Sequence, residues 1–432
     1  MTILIITIFV IGYLTIALEH NLKIDKSAPA LIIGVLCWTT YIILGDKASH
    51  SVVHELYEYL GEIAGVLFFL LGAMTIVELI DAHEGFSDIT RFITTNKRIK
   101  LLWSISILTF FLSAALDNLT TTIVMVSILR KLIKEREVRI FFISIVVIAA
   151  NAGGAWSPIG DVTTTMLWIG GQITSNNIVH KLILPSSICL FVPLLVASFS
   201  YRHQLYRKLE APTPDPDLEA EENTVSALER RIVLFMGITA LLFVPVFKTV
   251  THLPPFMGIL LGLGVLWLVT EVLHKHKEDH HKAELSVMGV LKKVDVPSVL
   301  FFFGILVAIS SLQATGLLQS LADFLDRAIG DIYIIGLALG LLSAIVDNVP
   351  LVAATMGMYD LSIFPTDHIM WEFIAYCAGT GGSALIIGSA AGVAAMGMEK
   401  IPFLWYLKKV SWLALLGYFA GAATFILMQY QL

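Results

Sequence analysis

Two matching stretches of the sequence place an acid beside an amide in apolar surroundings: SAALDNLTTT at residues 113–122 and SAIVDNVP at residues 343–350. The Asp-Asn pairs within them stand 230 residues apart. A carboxylate in the hydrocarbon of a bilayer costs about 2.5–3.5 kcal/mol on insertion scales, and such residues mark functional positions. The alternative is a capping role, because Asp and Asn both cap helix N-termini well.

The composition predicts a membrane protein. Of the 432 residues, 57% are hydrophobic and only 14% are charged, which is too little charge to cover a soluble protein of this size. Uncharged runs such as 28–44, 233–247 and 257–269 approach the length of about 20 residues that spans a bilayer. The segment 1–18 lacks a basic n-region and a convincing cleavage site, so we interpret it as a retained first helix. We therefore predict an all-α polytopic fold.

The positive charges predict how the first Asp-Asn pair enters the membrane. None of the 28 Lys and Arg residues lies in a predicted membrane segment, and the loops rich in them are predicted to be cytoplasmic. Residues 101–129 lie between two such loops and are too few for two full spans at 1.5 Å per residue. The stretch is therefore predicted to be a re-entrant hairpin that turns at Asp117.

The second pair is predicted to lie in a hairpin of opposite direction. Residues 332–358 lie between loops poor in Lys and Arg, which places both ends of the stretch outside and its turn near Asp347. The predicted topology has about ten full spans and two opposed hairpins. Both termini are then periplasmic.

Further matches between the halves predict an internal repeat. NAGGA at 151–155 parallels GTGGS at 379–383 at an offset of 228, and FFLLG at 68–72 parallels LFFFG at 300–304 at an offset of 232. Matches in one order at nearly constant offset, in halves of opposite orientation, predict two inverted-topology repeats. Such repeats are typical of secondary transporters, whose sites lie at the repeat interface near the bilayer midplane.

Each half also contains a predicted broken helix. Residues 151–165 read NAGGAWSPIGDVTTT, and they cannot form one continuous helix because Pro158 removes a backbone donor and the glycines weaken the ladder. Unwound backbone at membrane depth is tolerated where it lines a cavity or is buried in protein. The equivalent break at 379–389 has no carboxylate, so the half-sites are predicted to be unequal. The alternative is a structural kink that faces neighbouring helices.

The embedded oxygens predict a small hard cation as the ligand, since no Lys or Arg is expected near them and an anion would be repelled. Burial raises the pKa of a carboxylic acid, so a proton can compete for the same group. We expect the cation, Na⁺, to lean toward Asp117, Asn151 and Asp161, with Asp347 as the proton carrier. Asn118 and Asn348 are candidate ion-binding residues as well, with the alternative that they cap helices while the aspartates face the site. The remaining candidate ligands and supporting hydroxyls in the broken helices are Thr163, Thr164, Ser157, Ser383 and Ser389.

These motifs resemble those of the NhaD-type sodium/proton antiporters of the ion transporter superfamily. The resemblance covers nearly the whole chain and rests on the two Asp-Asn stretches, on NAGGAWSPIGDVTTT and on GTGGSALIIGS at 379–389. Related divalent-anion carriers have Ser-Asn-Thr where this chain has Asp-Asn. The resemblance implies functional roles for Ser113, Thr120 and Ser343 as well, and it implies a homodimer with a fixed scaffold and a sliding transport domain.

The expected function is secondary active antiport of Na⁺, and also Li⁺, against H⁺ across a bacterial inner membrane. The expected domains are scaffold at 1–97 and 230–330, transport halves at 98–201 and 331–432, and a cytoplasmic linker at 202–229. We expect no enzymatic activity, no cofactor and no nucleic-acid partner. A sodium-coupled carboxylate or oxyanion carrier is the alternative on the same fold. A non-transporting scaffold is disfavoured by the paired hairpins, and a channel by the clustering of the polar groups.

Overall fold

The computed structural model describes residues 1–17, 19–86, 95, 97–201, 225–275, 283 and 285–430, and its elements are helical. The first-half helices are α1 Thr2–Ala17, α2 Glu19–Leu22, α3 Ser27–Leu44, α4 Ser49–Ala82, α5 Arg98–Leu116, α6 Asn118–Leu132, α7 Arg136–Ala155, α8 Val162–Ile169 and α9 Ser175–Ser200. The second-half helices are α10 Ala227–Thr251, α11 Pro255–Leu273, α12 Val287–Leu291, α13 Val296–Ala314, α14 Leu317–Ala328, α15 Ile332–Leu342, α16 Asn348–Met358, α17 Ile369–Gly381, α18 Ala390–Glu399, α19 Phe403–Lys409 and α20 Ser411–Tyr430.

The helices confirm an all-α polytopic membrane protein. Within the described residues, nine helices are long and apolar enough to cross a membrane: α3, α4, α5, α7, α9, α10, α11, α13 and α20. The number of full spans and the orientation of the halves stay predictions. The predicted linker lies outside the described residues as far as residue 224.

The helices pack in two groups. In the first, called the scaffold group here, α3 lies on α1 and α13, and α4 contacts α10, α11 and α13. The scaffold group also contains α14, which packs on α13. In the second, called the site group, α5, α6 and α8 pack on α7, α15 and α16 pack on α17, α18 packs on α6, and α9 packs on α20. The groups meet where α13 and α14 contact α16, where α4 contacts α8 and where α5 contacts α10. The predicted domain boundaries follow this division but stay a prediction.

Both predicted hairpin tips are helix breaks. Between α5 and α6 the chain turns at Asp117, whose φ of 93° lies in a region that side chains other than glycine rarely adopt. Such strain costs on the order of 1–3 kcal/mol and persists only where the surroundings impose it. Between α15 and α16 the chain turns at 343–347, and Asp347 has an ordinary φ of −44°. Whether each helix pair enters and leaves the membrane by one side stays a prediction.

Glycines let the helices beside each tip pack at backbone distance. A Cβ added to Gly153 of α7 would lie 2.2 Å from the Phe110 carbonyl oxygen of α5. A Cβ added to Gly381 of α17 would lie 2.0 Å from the Gly340 carbonyl oxygen of α15. Both distances are closer than van der Waals contact allows, so only glycine fits. These glycines fix each broken helix against the first helix of its own predicted hairpin and thereby position the side chains between them.

Candidate functional site

A hydroxyl or carboxylate caps the short helix that follows each chain break. Residues 156–161 separate α7 from α8, and the Asp161 side chain accepts hydrogen bonds from the Thr163 amide at 2.9 Å and its hydroxyl at 2.7 Å. In the second half, Ser389 precedes α18 and accepts from the Gly392 amide at 3.2 Å. The predicted breaks are therefore present, and each supplies an oxygen atom at a helix N-terminus, where the dipole favours negative charge.

Asp161 is the centre of a buried polar cluster. Asp161 is only 1% exposed, and its Oδ2 accepts a hydrogen bond of 2.6 Å from Asn118 Nδ2. Asn348 Nδ2 lies 3.5 Å from both carboxylate oxygens. The amides that follow both hairpin tips thus converge on one carboxylate. Among the residues that the structure describes, every hydrogen-bond donor to this carboxylate is neutral.

Asn151 joins the cluster to the second half. Its Oδ1 accepts from Asn118 Nδ2 at 3.0 Å. Its Nδ2 donates to Ser383 Oγ at 2.8 Å and to Ser389 Oγ at 2.9 Å, so the side chain bridges the two chain breaks. Asn151 is fully buried on α7. The structure therefore brings both broken helices and both tips to one place.

The expectation that Asn118 and Asn348 cap their helices is wrong, because the aspartates are the helix caps. Ion binding by these four residues stays a prediction. Asp117 accepts from the Thr120 amide at 2.7 Å and from the Thr120 hydroxyl at 2.8 Å. Asp347 accepts from the Val349 amide at 3.2 Å. The amides of Asn118 and Asn348 face the cluster instead. Sequence reasoning missed this exchange because either residue type caps well.

Asp117 lies beside the cluster and not within its hydrogen bonds. The hydrogen bonds described for its carboxylate come from the Thr120 amide and hydroxyl, and none links it to Asn151 or Asp161. With Asn118 it lines a cavity of about 40 Å³ against α4. A cavity needs about 10–15 Å³ of such space to hold one water, so this one admits a small partly hydrated ion. The predicted Na⁺ set of Asp117, Asn151 and Asp161 thus contains one member outside the hydrogen-bonded cluster.

Asp347 has a cationic partner, which corrects the expectation that no Lys or Arg lies near the embedded acids. Lys26 Nζ is 3.2 Å from Asp347 Oδ2, with the two side chains 20% and 16% exposed. Lys26 immediately precedes α3 of the scaffold group. The loop count missed it because a count of charges does not show how far a lysine side chain reaches.

The supporting hydroxyls mostly hold backbone. Ser113 Oγ donates to the Ala150 carbonyl at 2.7 Å, and Ser343 Oγ donates to the Gly340 carbonyl at 2.7 Å. Thr164 Oγ1 donates to the Asp161 carbonyl at 2.9 Å. Ser157 Oγ accepts from the Ile159 amide at 3.4 Å. These contacts fasten the tips and breaks to neighbouring backbone, and an ion-binding role for the four side chains stays a prediction.

A larger cavity of about 730 Å³ lies between the two helix groups. The scaffold group lines it with Glu58 and Glu62 of α4 and with α13, and the site group lines it with Met166 of α8 and Ala353 of α16. Its acidic rim attracts cations. Met166 and Ala353 lie on the same short helices that begin at the site, because Asp161 caps α8 and Asn348 is the first residue of α16.

Comparison with known proteins identifies the family. The family model described as Citrate transporter (CitMHS) matches residues 13–372. Sodium/proton antiporter 1 of Arabidopsis thaliana is 50% identical over 420 residues, which cover 97% of this chain and 71% of the relative. Sodium/proton antiporter 2 of the same plant is 49% identical over 419 residues, which cover 97% of this chain and 98% of the relative. The Na(+)/H(+) antiporter NhaD of Vibrio cholerae serotype O1 is 32% identical over 458 residues, which cover 98% of this chain and 91% of the relative. The resemblance seen in the motifs is thereby confirmed, and the chain belongs to the citrate transporter family and, within it, to the NhaD-type sodium/proton antiporters.

Proposed function

We propose that this protein exchanges Na⁺ for H⁺ and that Asp161 binds the two in alternation. The observation that carries the proposal is the environment of this carboxylate, which is buried and contacted by neutral donors among the described residues. A buried carboxylate without a cationic partner is costly. Binding either Na⁺ or H⁺ removes that cost, and one site that holds either load is sufficient for antiport.

The cluster offers the oxygen ligands that a small hard cation prefers. The side-chain oxygens of Asn118 and Asn348 accept no hydrogen bond from any described residue, although their amide nitrogens both donate to Asp161. A rotation of either amide would present its oxygen to an ion held by Asp161. Asn151 Oδ1 and Thr163 Oγ1 lie in the same cluster and complete an uncharged shell. One negative charge with neutral oxygens matches a monovalent cation, and we extend the proposal to Li⁺.

The movement that we propose is a sliding of the site group along the scaffold group. The Asp161 cluster is held entirely by helices of the site group, so the group can carry it as a unit. The scaffold lines the cavity beside Asp117 mostly with apolar side chains such as Phe69, Leu70 and Phe302, and its Ser298 donates to Asp295 within the scaffold. An apolar contact without directional bonds favours sliding. The cavity of about 730 Å³ between the groups supports an aqueous entrance with an acidic rim.

The setting that we propose is a homodimer in a bacterial inner membrane, with periplasmic termini. The charge distribution of the loops supports the orientation. The chemistry needs no cofactor and no covalent step, so we assign no enzymatic activity. A citrate ion, the substrate in the family's description, would be repelled by the Asp161 carboxylate at the centre of the cluster. Lys26, which lies beside the second tip, is already paired with Asp347. For this reason we favour the cation as substrate over a carboxylate or oxyanion.

The test is Na⁺-induced dequenching of a pH-sensitive dye in everted vesicles from an antiporter-deficient host. We expect NaCl and LiCl to dequench and choline chloride or choline citrate to have no effect. Asp161→Asn should abolish the response at equal protein level, because Asn keeps the helix cap while removing the charge. Asp323→Asn, the same change at an exposed position of α14, should match wild type. Full exchange by Asp161→Asn, or dequenching by choline citrate, would overturn the proposal.

A further inference from the structure

One ion pair links the two helix groups close to the site. Lys26 belongs to the scaffold group, whereas Asp347 caps α16 of the site group. Besides its 3.2 Å contact with Asp347, Lys26 Nζ lies 4.3 Å from the centre of the buried Phe301 ring on α13. A cation above an aromatic face is attracted to it. The ammonium is therefore held between a scaffold ring and a site-group carboxylate.

The scaffold sets the position of this ammonium. Asp25 Oδ1 accepts from the Ser27 amide at 2.8 Å, which shapes the turn before α3. Ser27 Oγ donates to the Pro297 carbonyl at 2.7 Å and so ties the turn to the start of α13. These bonds and the Phe301 contact hold the stem of Lys26 whether or not Asp347 is present. If the site group slides, Asp347 must leave the ammonium behind.

The pair is one residue away from the cluster. Asn348 follows Asp347 directly and approaches both oxygens of Asp161. A positive charge beside the residue that precedes Asn348 opposes the entry of a second cation into the cluster, and inside a protein such an interaction is screened less than in water. Among the described residues Asp117 has no such cationic partner, because the second half has Pro254 before α11 where the first half has Lys26 before α3. The lysine contact is therefore present at only one of the two tips among the described residues.

We propose that Lys26 is an internal cation that competes with Na⁺ and makes the affinity of the site depend on conformation. The inference rests on the proposed function. In the conformation described here, the ammonium neutralises Asp347 and repels Na⁺ from the Asp161 cluster, which favours release. When the site group slides away from Lys26, Asp347 regains its full negative charge and the cluster attracts Na⁺ more strongly. Lys26 is thus a positioning residue for unloading, and it does not itself bind the transported ion.

The experiment compares Na⁺ KM and Vmax in proteoliposomes. Lys26→Gln should lower the KM for Na⁺ about three- to tenfold, the range expected for a partly exposed charge pair, and should lower Vmax because release is slower. Lys26→Arg keeps the charge and should keep the KM at or above that of wild type. Lys23→Gln, which removes the same charge from an exposed position of the same loop, should behave as wild type.

Each outcome decides the proposal. A fall in Vmax with KM unchanged, or loss of Lys26→Gln from the membrane, shows a structural tie and overturns it, as does a Lys26→Arg variant that behaves like Lys26→Gln. If wild type itself shows no exchange, the proposed function fails and Lys26 is judged separately. Purified Lys26→Gln should then reach half of its NaCl-induced rise in Tm at lower NaCl than wild type, with choline chloride as the control. An equal midpoint would overturn the inference about Lys26 alone.

Discussion

The two broken helices cap the short helix after each break with different side chains, a carboxylate in the first half and a hydroxyl in the second. Asp161 and Ser389 stand at equivalent places, 228 residues apart, and each caps a short helix after a chain break. The serine shows that a hydroxyl is sufficient for this cap. The negative charge of Asp161 is therefore not required by the fold, and its burial is an expense that a purely structural residue would not incur.

The two hairpin tips differ in the opposite sense. Asp347 has an ordinary backbone conformation and a lysine partner, whereas Asp117 has a φ of 93° and, among the described residues, no Lys or Arg partner. The uncompensated charge in the site thus belongs to the first half, at Asp117 and Asp161. The second half supplies hydroxyls, an amide and a compensated acid. This comparison teaches that a repeated sequence can form a site in which one half carries the charge and the other half shapes its surroundings.

Neutralising the two tip aspartates should have unequal effects. Asp117→Asn removes an uncompensated charge beside the cluster and should lower Vmax/KM for Na⁺ about 100-fold or more. Asp347→Asn removes a charge that Lys26 already offsets, and should lower Vmax/KM about tenfold. Dequenching in everted vesicles over a range of NaCl concentrations measures both. Equal losses in the two variants would break the comparison and show that the acids share one role.

Truncating the two tip amides should sharpen the same contrast at smaller magnitude. Asn118 Nδ2 donates at 2.6 Å to Asp161 and at 3.0 Å to Asn151, whereas Asn348 reaches Asp161 only at 3.5 Å. Because Asn118 lies nearer to Asp161, its rotated amide oxygen should bind the ion more strongly, and a contact to a charged group is worth about 1.5–3 kcal/mol, so Asn118→Ala should raise the KM for Na⁺ about tenfold or more. Asn348→Ala should raise it about two- to threefold, since a 3.5 Å contact is weak. The same vesicle titration distinguishes them, and a larger effect at Asn348 would contradict the assigned geometry.

Much of the fold could be predicted from the sequence because the residues that end or break its helices act locally. Asp117, Pro158 and Asp347 mark breaks in apolar runs, and the structure has a break at each of the three. The motifs also predicted the family. Local patterns do not indicate which side of a re-entrant turn faces water, so the orientation of the halves stays a prediction.

The site could be predicted only in part because its contacts are tertiary. The Asp-Asn pairs marked the tips, but the choice of capping residue depends on Asp161, which is remote in sequence. Lys26 is 321 positions from its partner, and no spacing rule connects them. Asn151 was found as a candidate, whereas its link to Ser383 and Ser389 depends on how the two breaks pack together. Charge counts fail where a long side chain crosses between helices.

The two ends of the site group also differ, and the effect expected there is the smallest. At one end, Glu399 accepts hydrogen bonds from Arg130 and Arg139, at 2.6 and 3.0 Å. At the other end, Asp367 accepts from the amide and hydroxyl of Thr174, at 2.6 and 2.8 Å, with no cation among the described residues. The contact at Glu399 is an ion pair outside the predicted spans, whereas the contact at Asp367 is built from neutral donors. Only the first should weaken through loss of an ion pair when its carboxylate is protonated.

Burial raises the pKa of Glu399, but the hydrogen bonds and charges of Arg130 and Arg139 outweigh it, and the pKa lies below its ordinary value. A lowered pKa in the folded chain stabilises it above the unfolded value of about 4.3, and the stabilisation is lost as pH falls through the lowered pKa. Glu399→Gln should therefore lower Tm in detergent at pH 7 by about 2–4 °C, with the difference from wild type vanishing at acid pH. Glu137→Gln, at an exposed position near the same end, should follow wild type throughout. If Glu399→Gln kept the wild-type Tm at pH 7, the ion pair at Glu399 would contribute no stability, and the contrast between the two ends would be one of sequence alone.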